Sequence, residues 1–186
     1  MTAPRGRNKA LFLDRDGVVN VEKNYLHEVA DFEFMEGIFP LCSRFQQLGF
    51  WIVVVTNQSG IAQGFYAESD YLELEKWMVG EFARRGVAIS GSYHCPHHPE
   101  FTGDCDCRKP KPGMILEAGL ELDLDLTRSV LLGDKERDLE AGRRAGIPRL
   151  GLVHGLTRLE TVDFDGFPGT NPDDLPAILG DPSGWA

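Results

Sequence analysis

Asp14 and Asp16 stand two positions apart at the end of a short apolar run, Ala10–Leu13, and Gly17 follows at once. Thr56 and Asn57 close a second apolar run, Phe50–Val55. Asp134 closes a third, Ser129–Leu132, with Asp138 four positions on. Lys109 and Lys135 add fixed positive charge, and Thr56 and Asn57 add neutral donors. Carboxylates gathered at one place repel each other and shift in protonation unless a cation joins them. Oxygen-only ligands favour a hard ion, and Mg²⁺ is the default where the substrate brings phosphate. A carboxylate is a competent nucleophile toward phosphorus, giving an aspartyl phosphate that water then cleaves. A second carboxylate can protonate the leaving alkoxide and later activate water. Metal and lysine then stabilise charge on the transferring group. Such a set suits a phosphoryl group better than a carbonyl. Taken alone, Asp14-Arg15-Asp16-Gly17 reads equally well as a solvated turn, because Asp and Gly favour turns.

The elements around these residues must therefore bring them together. Ala10–Leu13, Phe50–Val55, Ile89–Tyr93, Ser129–Leu132 and Pro148–Val153 read as short strands, the second being a β-branched run of the kind covered on both faces. Between them, the spacing of Ile38, Leu41, Phe45 and Leu48 predicts a helix that holds Pro40 in its first turn and ends at Gly49. Leu74, Trp77, Met78 and Phe82 predict another, capped at Ser69 and stopped by Arg84-Arg85-Gly86. Met114–Leu122 and Arg137–Ala145 predict two more, the last closed by Gly146. Val21–Glu36 reads as a loop over the site. Beyond Gly155 the chain is rich in Pro and Gly, with one short helix near 173–179. Strands alternating with helices predict an α/β three-layer sandwich around a mainly parallel, Rossmann-like sheet, in one domain over residues 1–186 with no large cap. Crossover helices return each polar strand end to one edge of the sheet, where ligands bind in such folds.

The segment from His94 to Pro112 has no period and is full of Cys, His, Pro and Asp. Cys95-Pro96-His97 and Cys105-Asp106-Cys107 bracket a gap of seven residues. Three thiolates and an imidazole make a complete tetrahedral set, which predicts a structural Zn²⁺ on Cys95, His97, Cys105 and Cys107. A disulfide suits neighbours in C-x-C poorly, and four protein ligands leave no open position for catalysis. His94 and His98 are the spare imidazoles of the segment. A loop this polar buries no core of its own, so metal binding would supply its folding energy. Cys42 reads as a small buried hydrophobe of the first helix. His27 and His154 read as surface or packing residues.

The net charge of −10 argues against a broad nucleic-acid surface. The N-terminus leads to only four apolar residues before Asp14, short of a secretory signal, and no stretch approaches membrane-spanning length. The expectation is a cytoplasmic protein acting on a small phosphorylated substrate, with no nucleic-acid or membrane partner and a monomer by default.

The motifs together resemble the haloacid dehalogenase-like phosphatases. That family has a D-x-D-G strand end, a Ser/Thr strand end, a lysine and a G-D-x-x-x-D turn. Here they read Asp14–Gly17, Thr56, Lys109 and Gly133-Asp134 through Asp138, in the family's order. The resemblance implies Asp14 as nucleophile, Asp16 as acid and base, and Thr56 and Lys109 as holders of the phosphoryl group. It also implies Mg²⁺ on Asp14, Asp16 (through its backbone carbonyl) and Asp134. Asp138 would be an outer metal partner or an orienter of a lysine. With the cysteine loop, the likeness narrows to the subfamily of D-glycero-D-manno-heptose 1,7-bisphosphate 7-phosphatases and histidinol-phosphate phosphatases. It runs through LFLDRDGVVN, TNQSGIAQG, CPHHP, CDCRKPKPGM and GDKERD. By that likeness Glu22, Lys23, Asn24, Tyr25, Thr56, Asn57, Gln58, Ser59, Arg108, Lys109 and Lys135 contact substrate. The TNQSGIAQGFY and GDK stretches resemble the heptose enzymes, whereas the short gap between the zinc ligand pairs is nearer the histidinol-phosphate enzymes. The same-chemistry alternative is thus a histidinol-phosphate phosphatase. The different-class alternative, a zinc-module binding protein on an inactive scaffold, sits poorly with the intact Asp14, Asp16, Lys109 and Asp134.

Overall fold

The computed structural model describes residues 7–164 and 167–170. In chain order the elements are β1 (Lys9–Leu13), α1 (Ile38–Gln47), β2 (Phe50–Asn57), α2 (Glu68–Arg84), β3 (Ile89–Cys95) and α3 (Pro99–Thr102). Then come α4 (Gly113–Glu121), β4 (Val130–Gly133), α5 (Glu136–Ala145), β5 (Arg149–His154), β6 (Thr161–Phe164) and β7 (Phe167–Thr170). The strands form one sheet in the order β3-β2-β1-β4-β5-β6-β7. The first five of that order are parallel, and β6 and β7 extend the sheet antiparallel.

Side-chain alternation along the strands explains the three layers. Leu11, Leu13, Ile52, Val54, Val130 and Leu132 face a core with Ile38, Leu41, Phe45, Met78 and Phe82 of α1 and α2. Ala10, Phe12, Val53, Val55 and Leu131 face a second core with Met114, Ile115, Ala118, Leu139 and Ala141 of α4 and α5. Both faces are covered, so these strands read as unbroken apolar runs. Each such buried Val, Leu, Ile, Phe or Met side chain contributes on the order of 1.5–3 kcal/mol. Cys42 is fully buried in the first core, and burial pushes its thiol up.

The chain runs from β1 through β2 to β3 on one side, then returns to place β4 on the other side of β1. That reversal opens a crevice outside the carboxyl ends of β1, β2 and β4, the switch point of a doubly wound sheet. Asp14, Thr56 and Asp134 sit at or just beyond those ends.

Three expectations need correction. The chain after β5 holds two further strands, and the loop between β5 and β6 pins the start of α1. Glu36 N donates to Thr157 O, and Leu159 N donates to Glu36 O. Ser69 is not the cap of α2: Ala67 is, and the Asp70 carboxylate accepts from its backbone N–H at 2.8 Å. A carboxylate in the first turn meets both the orphan donor and the positive end of the helix dipole. The segment read as irregular between β3 and α4 includes the short α3, whose cap is the ring of His98 accepting from Glu100 N. The helix expected near 173–179 lies outside the described residues. Among the described residues no helix is long and apolar enough to cross a membrane.

Candidate active site

The Asp14–Gly17 segment is a turn, but not a solvated one. The backbone N–H groups of Val18, Val19 and Asn20 all reach Arg15 O, and Val18 and Val19 anchor in the first core. Asp14 is 3% exposed and Arg15 only 1%. Asp14 Oδ1 accepts from Arg15 N at 2.8 Å and pairs with Lys109 Nζ at 2.8 Å. Among the described residues Oδ2 makes no bond. Burial pushes the Asp14 carboxyl up to about 7, against the pull of Lys109 and with the help of Asp138 and Asp16.

Lys109 is buried, and three protein oxygens surround its ammonium. Nζ donates to Val55 O at 2.8 Å and pairs with Asp14 and, at 2.7 Å, with Asp138 Oδ1. Its burial acts against the charge, but Asp14 and Asp138 together hold the ammonium above its ordinary range. Asp138, of open role from sequence, contacts this lysine, and its Oδ2 also accepts from Lys135 N at 3.1 Å. Gly133 permits this: a Cβ there would lie 2.3 Å from Asp138 Cβ. Asn57 fixes the backbone of Lys109, accepting from its N at 3.0 Å and donating to its O at 3.1 Å.

Asp16 points another way. Its Oδ1 accepts from Arg15 Nη2 at 2.8 Å and Asn20 Nδ2 at 3.0 Å, and its Oδ2 from Gln58 Nε2 at 3.0 Å. Gln58 Nε2 also reaches Thr56 Oγ1 at 2.8 Å, and Tyr66 Oη donates to Gln58 Oε1 at 2.6 Å. Thr56 Oγ1 thus accepts one bond and keeps its own hydrogen to donate.

Asp14, Asp134 and Asp138 each present an oxygen within 4.8 Å of the others. Asp134 Oδ2 pairs with Lys135 Nζ at 2.5 Å, while its buried Oδ1 has no hydrogen-bond partner. A buried carboxylate oxygen left without a donor beside an ionisable neighbour is a fit for a hard cation. Gly17, at φ +88°, makes the space: a Cβ there would stand 2.4 Å from Asp134 Oδ2.

Asp14, Asp16, Thr56 and Lys135 border a cleft of about 390 Å³, the size of a small-ligand site. Of the sequence-expected contacts, Asp14, Asp16, Glu22, Asn24, Tyr25, Thr56, Asn57, Gln58, Ser59 and Lys135 line it. Three do not. Lys109 lies behind Asp14. Lys23 Nζ turns out to Asp31 O at 2.7 Å, and Arg108 Nη1 donates to His97 O at 3.1 Å. Burial and the nearby Asp16 and Asp134 raise the Glu22 carboxyl. Sequence reading missed Tyr66, Leu26, Gly60 and Arg137, which also line the cleft. Tyr66 ends the TNQSGIAQGFY stretch, so its place in that block was the available signal. Tyr25, which lines the cleft, packs against Phe65 with ring centroids 4.3 Å apart and ring planes tilted by 49°.

Of the cysteine segment, the structure gathers Cys95, Cys105 and Cys107 into one group, with Sγ–Sγ distances of 3.6 Å and 3.5 Å along it. The ring of His97 is not in that group. Burial raises the Cys95 thiol. Burial also acts on Cys105, but the backbone N–H of Arg108 and the neighbouring thiols outweigh it and lower that thiol. The spare histidines are engaged elsewhere, His94 with Glu68 at 2.9 Å and His98 at its cap.

A family model described as HAD-hyrolase-like matches residues 106–178. The D-glycero-beta-D-manno-heptose-1,7-bisphosphate 7-phosphatase of Yersinia pestis is 48% identical over 149 residues, covering 77% of this chain and 79% of that one. This chain is a HAD-like phosphatase. A D-glycero-alpha-D-manno-heptose-1,7-bisphosphate 7-phosphatase of Campylobacter jejuni is also 48% identical, covering 80% of this phosphatase and 84% of its own length. Among solved structures, the D,D-heptose 1,7-bisphosphate phosphatase of B. bronchiseptica, complexed with magnesium and phosphate, superposes with a TM-score of 0.74. It is 29% identical and covers 92% of this phosphatase and 97% of that chain.

Proposed function

We propose that this phosphatase removes the 7-phosphate of a D-glycero-D-manno-heptose 1,7-bisphosphate. The observation that carries the reading is the cluster of Asp14, Asp134 and Asp138 with the buried Lys109, reaching a sugar-sized cleft through Asp14, in a chain 48% identical to enzymes of that name. Relatives named for the alpha and the beta anomer align equally well, so the shared recognition is of the heptose and its 7-phosphate.

Asp14 and Asp134, with the backbone carbonyl of Asp16, would hold Mg²⁺, which would neutralise charge on the phosphoryl oxygens. The chain's own groups do the rest. Arg15 N and Lys109 fix Asp14 through Oδ1, which leaves Oδ2 to attack phosphorus. The bond from phosphorus to the sugar oxygen breaks, and Asp16 gives its proton to the departing alkoxide. Thr56 donates its hydroxyl hydrogen to the transferring group. Asp16, now a carboxylate, takes a proton from water as the water oxygen attacks phosphorus. The acyl phosphate bond breaks, phosphate leaves and Asp14 is restored.

The same reading assigns a structural Zn²⁺ to Cys95, Cys105 and Cys107, with His97 turning in as fourth ligand. Zinc–sulfur bonds of about 2.3 Å at tetrahedral angles set sulfurs about 3.8 Å apart. The distances of 3.6 Å and 3.5 Å support that assignment. Free thiols of this kind suit a reducing compartment, so the enzyme is read as cytoplasmic.

The test is phosphate release from heptose 1,7-bisphosphate, other sugar phosphates and histidinol phosphate, side by side with Mg²⁺ present. The heptose bisphosphate is expected to give the highest kcat/KM. Equal or faster release from histidinol phosphate would overturn the assignment.

A further inference from the structure

Arg137 sits in the first turn of α5 and lines the same cleft as Asp14 and Asp16. Nothing in the phosphoryl-transfer chemistry uses it. The other cations near the site are already taken. Lys109 is buried, paired with Asp14 and Asp138, and does not line the cleft. Lys135 faces it, but its ammonium is paired with Asp134 at 2.5 Å.

The acids that would ordinarily quench Arg137 are taken too. Its helical neighbour at i+3, Glu140, is gripped by Arg143 at 2.5 Å and Arg144 at 2.7 Å. Glu136 pairs with Arg143 at 3.5 Å, and Asp138 is held by Lys109 and the Lys135 backbone. Glu22, across the cleft, feels the charge of Arg137 without forming an ion pair with it. Among the described residues, Arg137 is the cleft-lining cation with no ion-pair or hydrogen-bond partner.

We propose that Arg137 is a specificity-determining residue that binds a second phosphate of the substrate, one that is not cleaved. A guanidinium presents a planar fork that meets two phosphate oxygens at once and stays charged at any working pH. The cleft also carries Asp14, Asp16 and Glu22, so an unpaired cation at its wall offsets their field for a ligand with two anionic ends. This inference rests on the phosphatase reading above and deepens it. The cleaved phosphate meets Asp14, Thr56 and the metal, and the retained one meets Arg137.

The experiment measures kcat and KM for two matched pairs, each a sugar bisphosphate and the monophosphate left when the retained phosphate is absent. The pairs are heptose 1,7-bisphosphate with heptose 7-phosphate, and fructose 1,6-bisphosphate with fructose 6-phosphate. Proteins are the wild type, Arg137→Ala, Arg137→Lys and Arg137→Glu, all with Mg²⁺. The exposed position spares the fold. The bisphosphate-to-monophosphate ratio of kcat/KM is expected to fall about tenfold or more in Arg137→Ala, through KM. It should fall further in Arg137→Glu and recover in part in Arg137→Lys. A ratio unmoved by Ala and Glu, or a wild-type ratio at or below one in both pairs, would overturn the proposal. If the hexose pair shows the effect while the heptose pair is a poor substrate, the heptose assignment fails and the role of Arg137 stands. Hydrolysis of neither pair would overturn both.

Discussion

The side-chain amide of Asn57 grips the backbone of Lys109 at both polar groups, 3.0 Å from its N and 3.1 Å from its O. β2 and the loop after the cysteine segment are thereby joined across a sequence separation of 52 residues. The clamp gives a first prediction. Asn57→Ala leaves the Lys109 backbone short of two partners in a part-buried place, which costs about 1–3 kcal/mol. It also lets Lys109 and Asp14 shift, and a displacement near 1 Å can cost on the order of a hundredfold in rate. Urea denaturation and steady-state kinetics should show lower stability and a lower kcat with KM little changed. An unchanged kcat would mean that the clamp serves the fold alone.

The raised Asp14 carboxyl has a consequence for stability. Its folded pKa, about 7, lies above the ordinary value of 3.8, so the folded chain holds a proton there that the unfolded chain has lost. That contribution is fully present below the unfolded pKa and is lost as pH rises through about 7. In EDTA, the melting temperature is expected to drop between pH 6 and pH 8. Asp14→Asn, which cannot ionise, should show a smaller drop. Identical pH profiles for the two proteins would contradict this.

Gly17 is predicted to control the metal rather than the fold. In Gly17→Ala, the new methyl meets Asp134 Oδ2 at 2.4 Å and must push that carboxylate aside. The left-handed backbone adds strain of roughly 1 kcal/mol. The concentration of Mg²⁺ giving half-maximal kcat should rise about tenfold or more, with the circular dichroism spectrum retained. Wild-type Mg²⁺ dependence in this variant would place the cation elsewhere.

The cysteine cluster predicts one zinc per chain by elemental analysis. Cys107→Ser removes a ligand and should lose most of that zinc and lower the melting temperature. A zinc chelator should do the same to the wild type, whereas removing Mg²⁺ alone should stop turnover without unfolding. His97→Ala tests the fourth ligand directly through its zinc affinity.

Much of this was legible in the chain because it rests on local pattern. Leu13, Val55 and Leu132 end apolar runs, and Asp14, Thr56 and Asp134 within two positions of them mark the strand ends of a parallel sheet. The strands after β5 were not legible: Thr161–Phe164 is short, polar at alternate places, and takes its register only from β5. Gln58 lines the cleft as expected, yet its amide is used to hold Asp16, 42 residues away in sequence, and Thr56. Lys109 defeats the default that lysines lie at the surface, since only tertiary structure supplies Val55 O, Asp14 and Asp138 around it. The freedom of Arg137 is likewise invisible in sequence, because it depends on Arg143 and Arg144 reaching Glu140 first.

The three inward bonds of Lys109 also bear on how the rate is achieved. An ammonium at the end of a mobile arm would have to shed water and find its place in every catalytic cycle. Here that reorganisation is complete once the chain has folded, because Val55 O, Asp14 and Asp138 already stand within 2.8 Å of Nζ before any substrate arrives. A guanidinium is larger and planar where this buried site encloses a compact ammonium, which makes arginine at this position a poor substitute despite its equal charge.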